Sequence, residues 1–346
     1  MSPPIFQASA AGAASPAAPA RRPRPRLALA VLAALWVAVL FVAPLVGSHL
    51  GVARELLAGD RTAALIFWQL RLPRVLLALL AGGGLAVSGL AFQTIFGNPL
   101  AEPYTLGIAS GAALGAVLAL RLEESGRLLG LSAVTVASFA GAIAATALVV
   151  GLGTRRRGQE TSTLLLAGIA VSLSCSALIL FLQYLSDSTQ TFRMVRWMMG
   201  GLSVVGYGEV LWLFPWVAGG GAVLLALRWE MNLLLTGEEL AASRGVDLGR
   251  LRLQVLATTS VMIGALVAMV GPIGFVGLMV PHMLRRFVGH DHLALAPACI
   301  LAGGAFLALC DGAARTVMAP AELPVGVITA LLGGPFFLWL LILRRR

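Results

Sequence analysis

Apolar residues occur along this chain in ten long runs separated by short polar segments. Read with a window of about 19 residues, the runs cover 27–47, 72–96, 104–120, 131–153, 162–185, 207–228, 251–270, 272–288, 293–313 and 324–343. Runs of this length predict transmembrane helices. The pattern therefore predicts an all-α integral membrane protein with about ten transmembrane helices. Only the boundary between 251–270 and 272–288 is indistinct, because GPIGFVG (Gly271–Gly277) interrupts the helix pattern.

Composition agrees with a membrane protein. Hydrophobic residues make up 59% of the chain and charged residues 12%, and the mean hydropathy is +0.91, whereas soluble domains carry about 25% charged residues. The net charge of +10 does not indicate nucleic-acid binding, because the arginines cluster at the ends of the apolar runs. We expect contact with membrane lipid and no nucleic acid.

Residues 1–26 are rich in Ala, Pro and Ser and poor in large apolar side chains. Such a segment cannot bury enough apolar surface to fold, so we predict a disordered cytosolic tail (1–26) and a transmembrane permease domain (27–346). The first run is about 20 residues long, longer than the apolar core of about 7 to 15 residues in a cleavable signal peptide. We expect it to remain as the first span.

The arginines also predict the orientation of the chain. With the N-terminus in the cytoplasm, sixteen of the 25 arginines fall on the cytoplasmic side and nine on the other side. Because cytoplasmic loops collect positive charge, both termini are predicted to be cytoplasmic. The nine outer arginines are Arg54, Arg61, Arg71, Arg74, Arg121, Arg127, Arg193, Arg196 and Arg315.

A polar segment, Met231–Arg252, interrupts the apolar pattern near the middle of the chain. Thr236 followed three residues later by Glu239 fits a capping box, and Gly245 suits the position just after a helix. The segment therefore predicts one short helix, Gly237–Arg244, at the cytoplasmic surface.

So short a helix is marginal in water on its own, so it must pack on its own protein or on a partner. Glu238 and Glu239 stand in its first turn, where the helix dipole favours negative charge. Leu240, Ala241 and Ala242 give it a small apolar side that fits a groove. An ordinary interfacial helix is the alternative interpretation.

Ionisable groups near mid-membrane usually mark ion-coupled transport. Here the carboxylates lie mostly at the ends of runs or between them, and Asp311 has Arg315 one helical turn away as a partner. Ion coupling is thus disfavoured. ATP is the remaining energy source, but the chain has no lysine and hence no GxxxxGK[ST] phosphate loop. Any ATPase must be a separate chain.

Glycines at 107, 111 and 115 lie on one helix face and predict close helix packing. The segment GPIGFVGLMVP, framed by Pro272 and Pro281, predicts a broken helix, which is tolerated at membrane depth only when it is buried in protein or faces a water-filled cavity. We interpret it as a part of the transport path.

Seven segments, in this order, carry a resemblance to a known family. They are QLRLPR (Gln69–Arg74), GNPLAEP (Gly97–Pro103), LGIASGAALGA (Leu106–Ala116), RWMMGGL (Arg196–Leu202), GEELAASRG (Gly237–Gly245), GPIGFVGLMVPHMLR (Gly271–Arg285) and AELPVGVITALLGGPFF (Ala321–Phe337). With them the chain resembles the permeases of type II ABC importers, which take up ferric siderophores, haem and cobalamin in bacteria. The resemblance runs from Leu27 to the C-terminus.

The resemblance implies a homodimer of ten-helix subunits, two ATP-binding cassette ATPase subunits and an extracytoplasmic substrate-binding protein. No cofactor or metal is expected on this chain, since ATP and Mg would be bound by the ATPase. The polar segment matches the family's coupling helix, which seats in the ATPase. The implied coupling residues are Glu238, Glu239, Ala241, Ala242 and Gly245.

The resemblance also assigns outer and inner positions. Arg71, Arg74 and Arg315 match arginines that dock the binding protein, a role that exposed guanidinium groups suit because they pair with carboxylates; contact with lipid headgroups is the alternative. The implied gate or path residues are Asn98, Leu100, Thr161, Ser162, Gly271, Pro272, Gly274 and Gly277.

The predicted function is the permease subunit, not itself an enzyme, of an ATP-driven importer of a metal chelate in the bacterial cytoplasmic (inner) membrane. Ferric siderophore is favoured because it is the commonest cargo of the family, while cobalamin and haem fit the motifs as well. The alternative from another class is a stand-alone secondary transporter. A membrane-embedded enzyme is third, since HExxH and GxSxG motifs are absent.

Overall fold

The computed structural model describes residues 25–47, 52–123, 126–128, 131–154 and 161–343. Its helices are α1 (Pro25–Val42), α2 (Val52–Leu57), α3 (Arg61–Leu65), α4 (Leu72–Ile95), α5 (Ile108–Arg121), α6 (Ala133–Thr154), α7 (Thr161–Tyr184), α8 (Ser188–Met198), α9 (Gly208–Ala226), α10 (Arg228–Leu234), α11 (Glu238–Ser243), α12 (Leu248–Val270), α13 (Val276–Val288), α14 (His292–Thr316) and α15 (Val325–Leu343).

Ten of these helices coincide with the ten apolar runs, so the predicted all-α membrane fold is confirmed. Seven helical stretches of the described chain are long and apolar enough to cross a membrane. They are Pro25–Leu45, Arg61–Ile95, Ala133–Leu152, Thr163–Tyr184, Gly208–Ala226, Leu248–Val270 and His292–Thr316. The other three helices, α5, α13 and α15, are shorter or less continuous in their apolar character.

Helix α4 forms the centre of the bundle. Almost every residue from Leu77 to Ile95 is buried, and α4 packs against α9, α12, α13 and α14. Helices α5, α6 and α7 pack together on one side, and α1 packs against α14 on the other. The remaining apolar surface, such as Leu166 and Leu173 of α7, is exposed on this single chain.

Small residues allow the closest helix contacts, as the glycine spacing predicted. A Cβ atom added to Gly82 would lie 2.1 Å from the carbonyl oxygen of Gly303 on α14. A Cβ atom added to Gly115 of α5 would lie 2.1 Å from the carbonyl oxygen of Ala137 on α6. Since no side chain tolerates such distances, these helices approach each other backbone to backbone.

Four aspartates cap helices through their side chains. Asp60, Asp187, Asp247 and Asp291 each accept a hydrogen bond from a backbone N–H of the first turn of α3, α8, α12 and α14, respectively. Capping explains why so many carboxylates stand at the ends of apolar runs, because the first N–H groups of a helix have no partner within it.

Several elements were not predicted. Helix α3 continues through a π-helical turn, Ile66–Arg71, into α4, so this span begins about ten residues before the apolar run. Helix α8 is amphipathic and too short for a 19-residue window, and α10 lies where the run 207–228 meets the polar segment. A two-stranded antiparallel hairpin pairs Arg127–Leu128 with Leu131–Ser132.

The predicted tail 1–26 lies outside the described residues except for Pro25 and Arg26, which are the first residues of α1.

The interruption between α12 and α13 is confirmed. Helix α12 ends at Val270 and α13 begins at Val276. Gly271 has φ +70° and Phe275 has φ +70°, a left-handed conformation that no helix interior contains, and Pro272 lacks the N–H that a helix requires. We call Gly271–Phe275 the helix break.

Candidate functional site

The two ends of the bundle carry different polar groups. We call the end that holds α11 the inner end, and the opposite end, which holds Arg71 and Arg315, the outer end. The inner end also carries the loop Gly97–Ala101, which we call the inner-mouth loop. The predicted coupling residues and the predicted gate residues Asn98 and Leu100 thus lie at the inner end, and the predicted docking residues lie at the outer end. The predicted path residues from Gly271 to Gly277 lie at or beside the helix break instead.

Helix α11 ends in a Schellman motif. The N–H of Val246 donates to the carbonyl of Ala241 (3.1 Å), and the N–H of Gly245 donates to that of Ala242 (3.0 Å). Gly245 has φ +89°, which glycine adopts without steric cost. The prediction of a short helix within Gly237–Arg244 that ends at Gly245 is confirmed.

The predicted capping box is wrong. The N-cap is Gly237, without a side-chain hydrogen bond, and the hydroxyl of Thr236 donates instead to the carbonyl of Leu233 (2.7 Å). Only three residues separate the end of α10 from the start of α11, so the hydroxyl of Thr236 binds a carbonyl at the end of α10 rather than an N–H of α11.

The predicted coupling residues divide into two groups. Glu239, Ala242 and Gly245 are exposed, as is Glu238, which forms an ion pair with Arg252 of α12. Ala241, however, is 0% exposed. Contrary to the prediction, Ala241 packs against its own protein, because α11 depends on α12 and α10 for stability.

The inner-mouth loop borders a cavity of about 420 Å³. Asn98 and Leu100 line it, with Leu165 and Ile169 of α7 opposite. The N–H of Leu100 donates to Oδ1 of Asn98 (2.9 Å), which holds the loop in a tight turn. Thr161 and Ser162 begin α7 about one turn before Leu165; their backbone is described but their side chains are not.

The helix break is held by the segment that follows the inner-mouth loop. The hydroxyl of Tyr104 donates to the carbonyl of Ile273 (2.8 Å) and accepts from the N–H of Ile273 (3.0 Å). A carboxylate oxygen of Glu102 accepts from the N–H of Phe275 (3.2 Å). Interrupted backbone inside a membrane protein needs such partners.

Burial raises the pKa of Glu102 to about 7, and the hydrogen bond from Phe275 opposes this rise. Burial also raises the pKa of Tyr104, and the nearby carboxylate of Glu102 adds to the effect. Both groups lie in the connection between α4 and α5, so the ionisation of Glu102 bears directly on the contact with the break.

The predicted path residues stand around this break. Gly271 lines a second cavity, of about 630 Å³, which is also lined by Arg193 and Arg196 of α8 and which we call the outer cavity. Gly277 packs so closely on Gly89 of α4 that a Cβ atom on Gly89 would lie 2.0 Å from the carbonyl oxygen of Gly277. A Cβ atom on Gly274 would meet no atom within 4 Å.

The three predicted docking arginines do not have exposed guanidinium groups. Arg71 is 8% exposed and Arg315 is 4% exposed, and 15% of the side chain of Arg74 is exposed. Arg71 donates to the carbonyls of Pro44 and Leu45 (3.3 and 3.2 Å), at the end of the helical segment that begins with α1. The expected exposure is thus wrong, although the docking role itself stays a prediction.

Asp311 joins two of these arginines. Its carboxylate accepts from Arg74 (2.9 Å) and, as the sequence predicted, forms an ion pair with Arg315 one turn later (3.1 Å). Arg74 also pairs with Glu322 (2.8 Å), and Arg315 donates to the carbonyl of Val46 (3.1 Å). Burial of these charges is tolerated because each has charged or carbonyl partners. We call Arg71, Arg74, Asp311 and Arg315 the outer charge cluster.

Comparison with known proteins bears on the function of these sites. A family model described as the FecCD transport family matches residues 29–343. The chain belongs to the FecCD transport family. The chain is therefore a permease of an ATP-binding cassette importer, as the sequence motifs predicted.

Curated relatives match over most of the chain. The vitamin B12 import system permease protein BtuC of Escherichia coli O9:H4 (strain HS) is 43% identical over 292 residues, 82% of this chain and 85% of the relative. The cobalamin import system permease protein BtuC of Halobacterium salinarum is 44% identical over 280 residues, 81% of this chain and 74% of the relative.

One solved structure is similar in fold. It is described as an inward-facing conformation of a proposed metal-chelate type ABC transporter, and it matches with a TM-score of 0.81 and 33% identity. The match covers 90% of this chain and 97% of that chain.

Sequence reasoning missed the residues that hold the helix break and the inner helix ends. Glu102 and Tyr104 lie within or beside the GNPLAEP segment, but their partners at Ile273 and Phe275 are about 170 residues away in sequence. An acid and a tyrosine beside the second proline of GNPLAEP were the only local signal.

Proposed function

We propose that this FecCD-family permease imports cobalamin across the bacterial inner membrane, as one half of a homodimer with both termini in the cytoplasm. Two separate ATPase subunits bind ATP and Mg and dock on α11, and an extracytoplasmic binding protein delivers the cargo at the outer end. The observation that carries the cargo is the 41–44% identity to cobalamin permeases over four-fifths or more of the chain.

The cargo proposed here differs from the one that the sequence alone favoured. Ferric siderophore was preferred only as the commonest cargo of the family. The relatives named above are cobalamin permeases, and they support cobalamin over siderophore or haem.

The inner surface supports coupling to an ATPase. Helix α11 places Glu239 and Ala242 on an exposed surface, while its buried side and the Glu238–Arg252 ion pair hold it against α12. A helix held rigidly in place transmits a displacement imposed by a partner, whereas a flexible loop deforms locally instead.

The interior supports ATP rather than ion coupling. Asp311 is a buried carboxylate in a spanning helix, but it is bound by two arginines, and a proton or sodium ion would have to displace one of them. A stand-alone secondary transporter therefore lacks support at this position.

The test is uptake by the complex purified from its native membrane and reconstituted in liposomes with its copurifying ATPase and binding protein. We expect uptake of radiolabelled cyanocobalamin that requires ATP and the binding protein. Uptake of a ferric siderophore or haem instead of cyanocobalamin would overturn the proposed cargo. Uptake driven by an ion gradient without any ATPase would overturn the importer itself.

A further inference from the structure

A buried histidine joins three helices at the inner end. His292, the first residue of α14, is 1% exposed. Its Nδ1 lies 2.8 Å from Oδ1 of Asn232 on α10, and its Nε2 lies 2.8 Å from the hydroxyl of Thr94 on α4. The ring thus bridges α10 and α4, which are more than 130 residues apart in sequence.

The orientation of Asn232 is set by its other partners. Its Nδ2 donates to the carboxylate of Asp291 (2.7 Å), which can only accept, and its Oδ1 accepts from the backbone N–H of His292 (2.8 Å). The same Oδ1 faces Nδ1 of His292, so Nδ1 carries the proton. In the neutral ring Nε2 is then an acceptor, and it faces the hydroxyl of Thr94, whose single proton is shared between Nε2 and the carbonyl of Leu90 one turn earlier (2.9 Å).

On one side the bridge leads to the coupling helix. Asn232 lies in α10, and hydrogen bonds run without a gap from α10 to α11: Leu235 N–H to Met231 (3.3 Å), Thr236 N–H to Leu233 (3.0 Å) and Gly237 N–H to Leu234 (3.1 Å). The carbonyl of Gly237 then accepts from Ala241 (3.0 Å). Helices α10 and α11 are therefore joined by a hydrogen-bonded turn and not by a free linker.

On the other side the bridge leads to the inner mouth. Thr94 lies next to the end of α4, and its carbonyl accepts from the N–H of Gly97 (3.2 Å). The carbonyl of Gln93 accepts from the N–H of Asn98 (3.2 Å). The inner-mouth loop is thus anchored on the turn of α4 that the histidine contacts.

We propose that His292 is a positioning residue that transmits the movement of coupling helix α11 through α10 to the inner-mouth loop. This inference rests on the proposed drive by an ATPase that docks on α11. A buried hydrogen-bonded bridge suits this role because breaking one member leaves an unpaired polar group, so the helices on either side move together.

The first test measures coupling in the reconstituted complex, with cyanocobalamin as the transported probe. Thr94→Val keeps the side-chain shape and removes the hydroxyl that faces Nε2. We expect ATP hydrolysis within about twofold of wild type, and about a tenfold rise in ATP hydrolysed per cobalamin, which is about 1.4 kcal/mol of lost coupling. His292→Asn, whose amide can still donate to Asn232, should behave like Thr94→Val.

Thr259→Val is the matched control. Thr259 is 0% exposed in α12, and its hydroxyl donates only within its own helix, to Val255 (2.6 Å) and Leu256 (3.2 Å). It should leave the coupling ratio unchanged. An equal rise in Thr259→Val would make the effect one of general packing and would overturn the role of His292.

The second test does not depend on the cargo. The described native cysteines, Cys175, Cys299 and Cys310, are all buried, whereas Leu100 is 49% exposed, so maleimide reports on Leu100→Cys at the inner mouth. We expect ATP with vanadate to change the labelling rate in the wild-type background and to leave it unchanged when Thr94→Val is added, although this variant still hydrolyses ATP in the absence of vanadate.

A full nucleotide response in the Thr94→Val background would overturn the inference, and so would a Leu100→Cys site that never responds to nucleotide. If no ATPase associates with the chain, the proposed function fails instead.

Discussion

The two ends of the bundle both carry charged residues that the sequence assigns to partner contacts, but they hold them differently. At the outer end Arg71 and Arg315 are buried and bound to Asp311 or to backbone carbonyls. At the inner end Glu239 is exposed on α11. The same type of sequence signal, a charge at the end of an apolar run, thus corresponds to buried, stabilising interactions at the outer end and to an exposed surface at the inner end.

The difference lies in what surrounds each charge. The outer arginines stand beside helix ends with free carbonyls and a carboxylate from another span, which offset the cost of burial. The glutamates of α11 lie at the N-terminus of a helix of six residues, too small to cover its own surface. We therefore expect substitutions at the outer end to reduce stability and substitutions at the inner end to reduce assembly.

The largest effect is expected for Asp311→Ala, which leaves Arg74 and Arg315 buried without their shared carboxylate. Breaking a buried ion pair by removing one member costs about 3–5 kcal/mol, so thermal unfolding in detergent should shift strongly downward. Glu322→Gln removes only the exposed partner of Arg74 and should cost less than about 1 kcal/mol. Equal melting temperatures for both variants would show that Asp311 does not stabilise the fold through the buried arginines.

A smaller effect is expected for Glu239→Arg on α11. The exposed side chain faces the proposed ATPase, so the reversal should weaken association with the ATPase by about tenfold, or about 1.4 kcal/mol, and leave the melting temperature unchanged. Copurification and the binding constant in detergent measure it. Glu55→Arg, at an exposed position of α2, serves as the control, and an equal loss there would show a nonspecific charge effect.

An exposed and a buried arginine at the outer end should differ in their effect on docking of the binding protein. Arg196 is exposed beside the outer cavity, so Arg196→Glu should weaken docking by about three- to tenfold at low salt, and less at high salt. Arg71→Gln should lower the melting temperature and leave docking near wild type at a temperature where it stays folded. Weak docking of the binding protein to Arg71→Gln at that temperature would instead indicate that Arg71 contacts the binding protein directly.

The last prediction concerns pH. Because the pKa of Glu102 is raised to about 7 from 4.5, the folded chain retains a proton between these values that the unfolded chain releases. The free energy of unfolding should therefore fall as pH rises from about 4.5 to 7, and level off above. Glu102→Gln keeps an acceptor for the N–H of Phe275 and should flatten melting curves measured from pH 5 to 8. Glu322→Gln should keep the wild-type slope.

Local patterns predicted much of the fold. Ten apolar runs gave the order of the ten helices, the glycines at 111 and 115 marked close helix contacts, and Gly245 marked the end of α11. Each of these features depends on a few neighbouring residues. Elements with weak apolar periodicity, such as α8 and the helical extension before Leu72, were not predicted, because a long window averages their polar residues with their apolar neighbours.

The candidate site was predicted less completely. The glutamates of α11 are exposed, and Asn98 and Leu100 line the cavity beside the inner-mouth loop, but their assignment to ATPase coupling and to the gate stays a prediction. The burial of Ala241 and the hydrogen bond from Thr236 to the end of α10 were not predicted, because both depend on how neighbouring helices pack.

Composition and run length were enough to establish a many-helix membrane protein, and the absence of lysine was enough to predict that any ATP hydrolysis takes place on another chain. Burial of the outer arginines, and the bridge from Asn232 through His292 to Thr94, became visible only in the folded chain. The physical reason is distance along the sequence. A side chain's exposure and partners are set by helices that come from hundreds of residues away, and no local pattern records which of them will be adjacent.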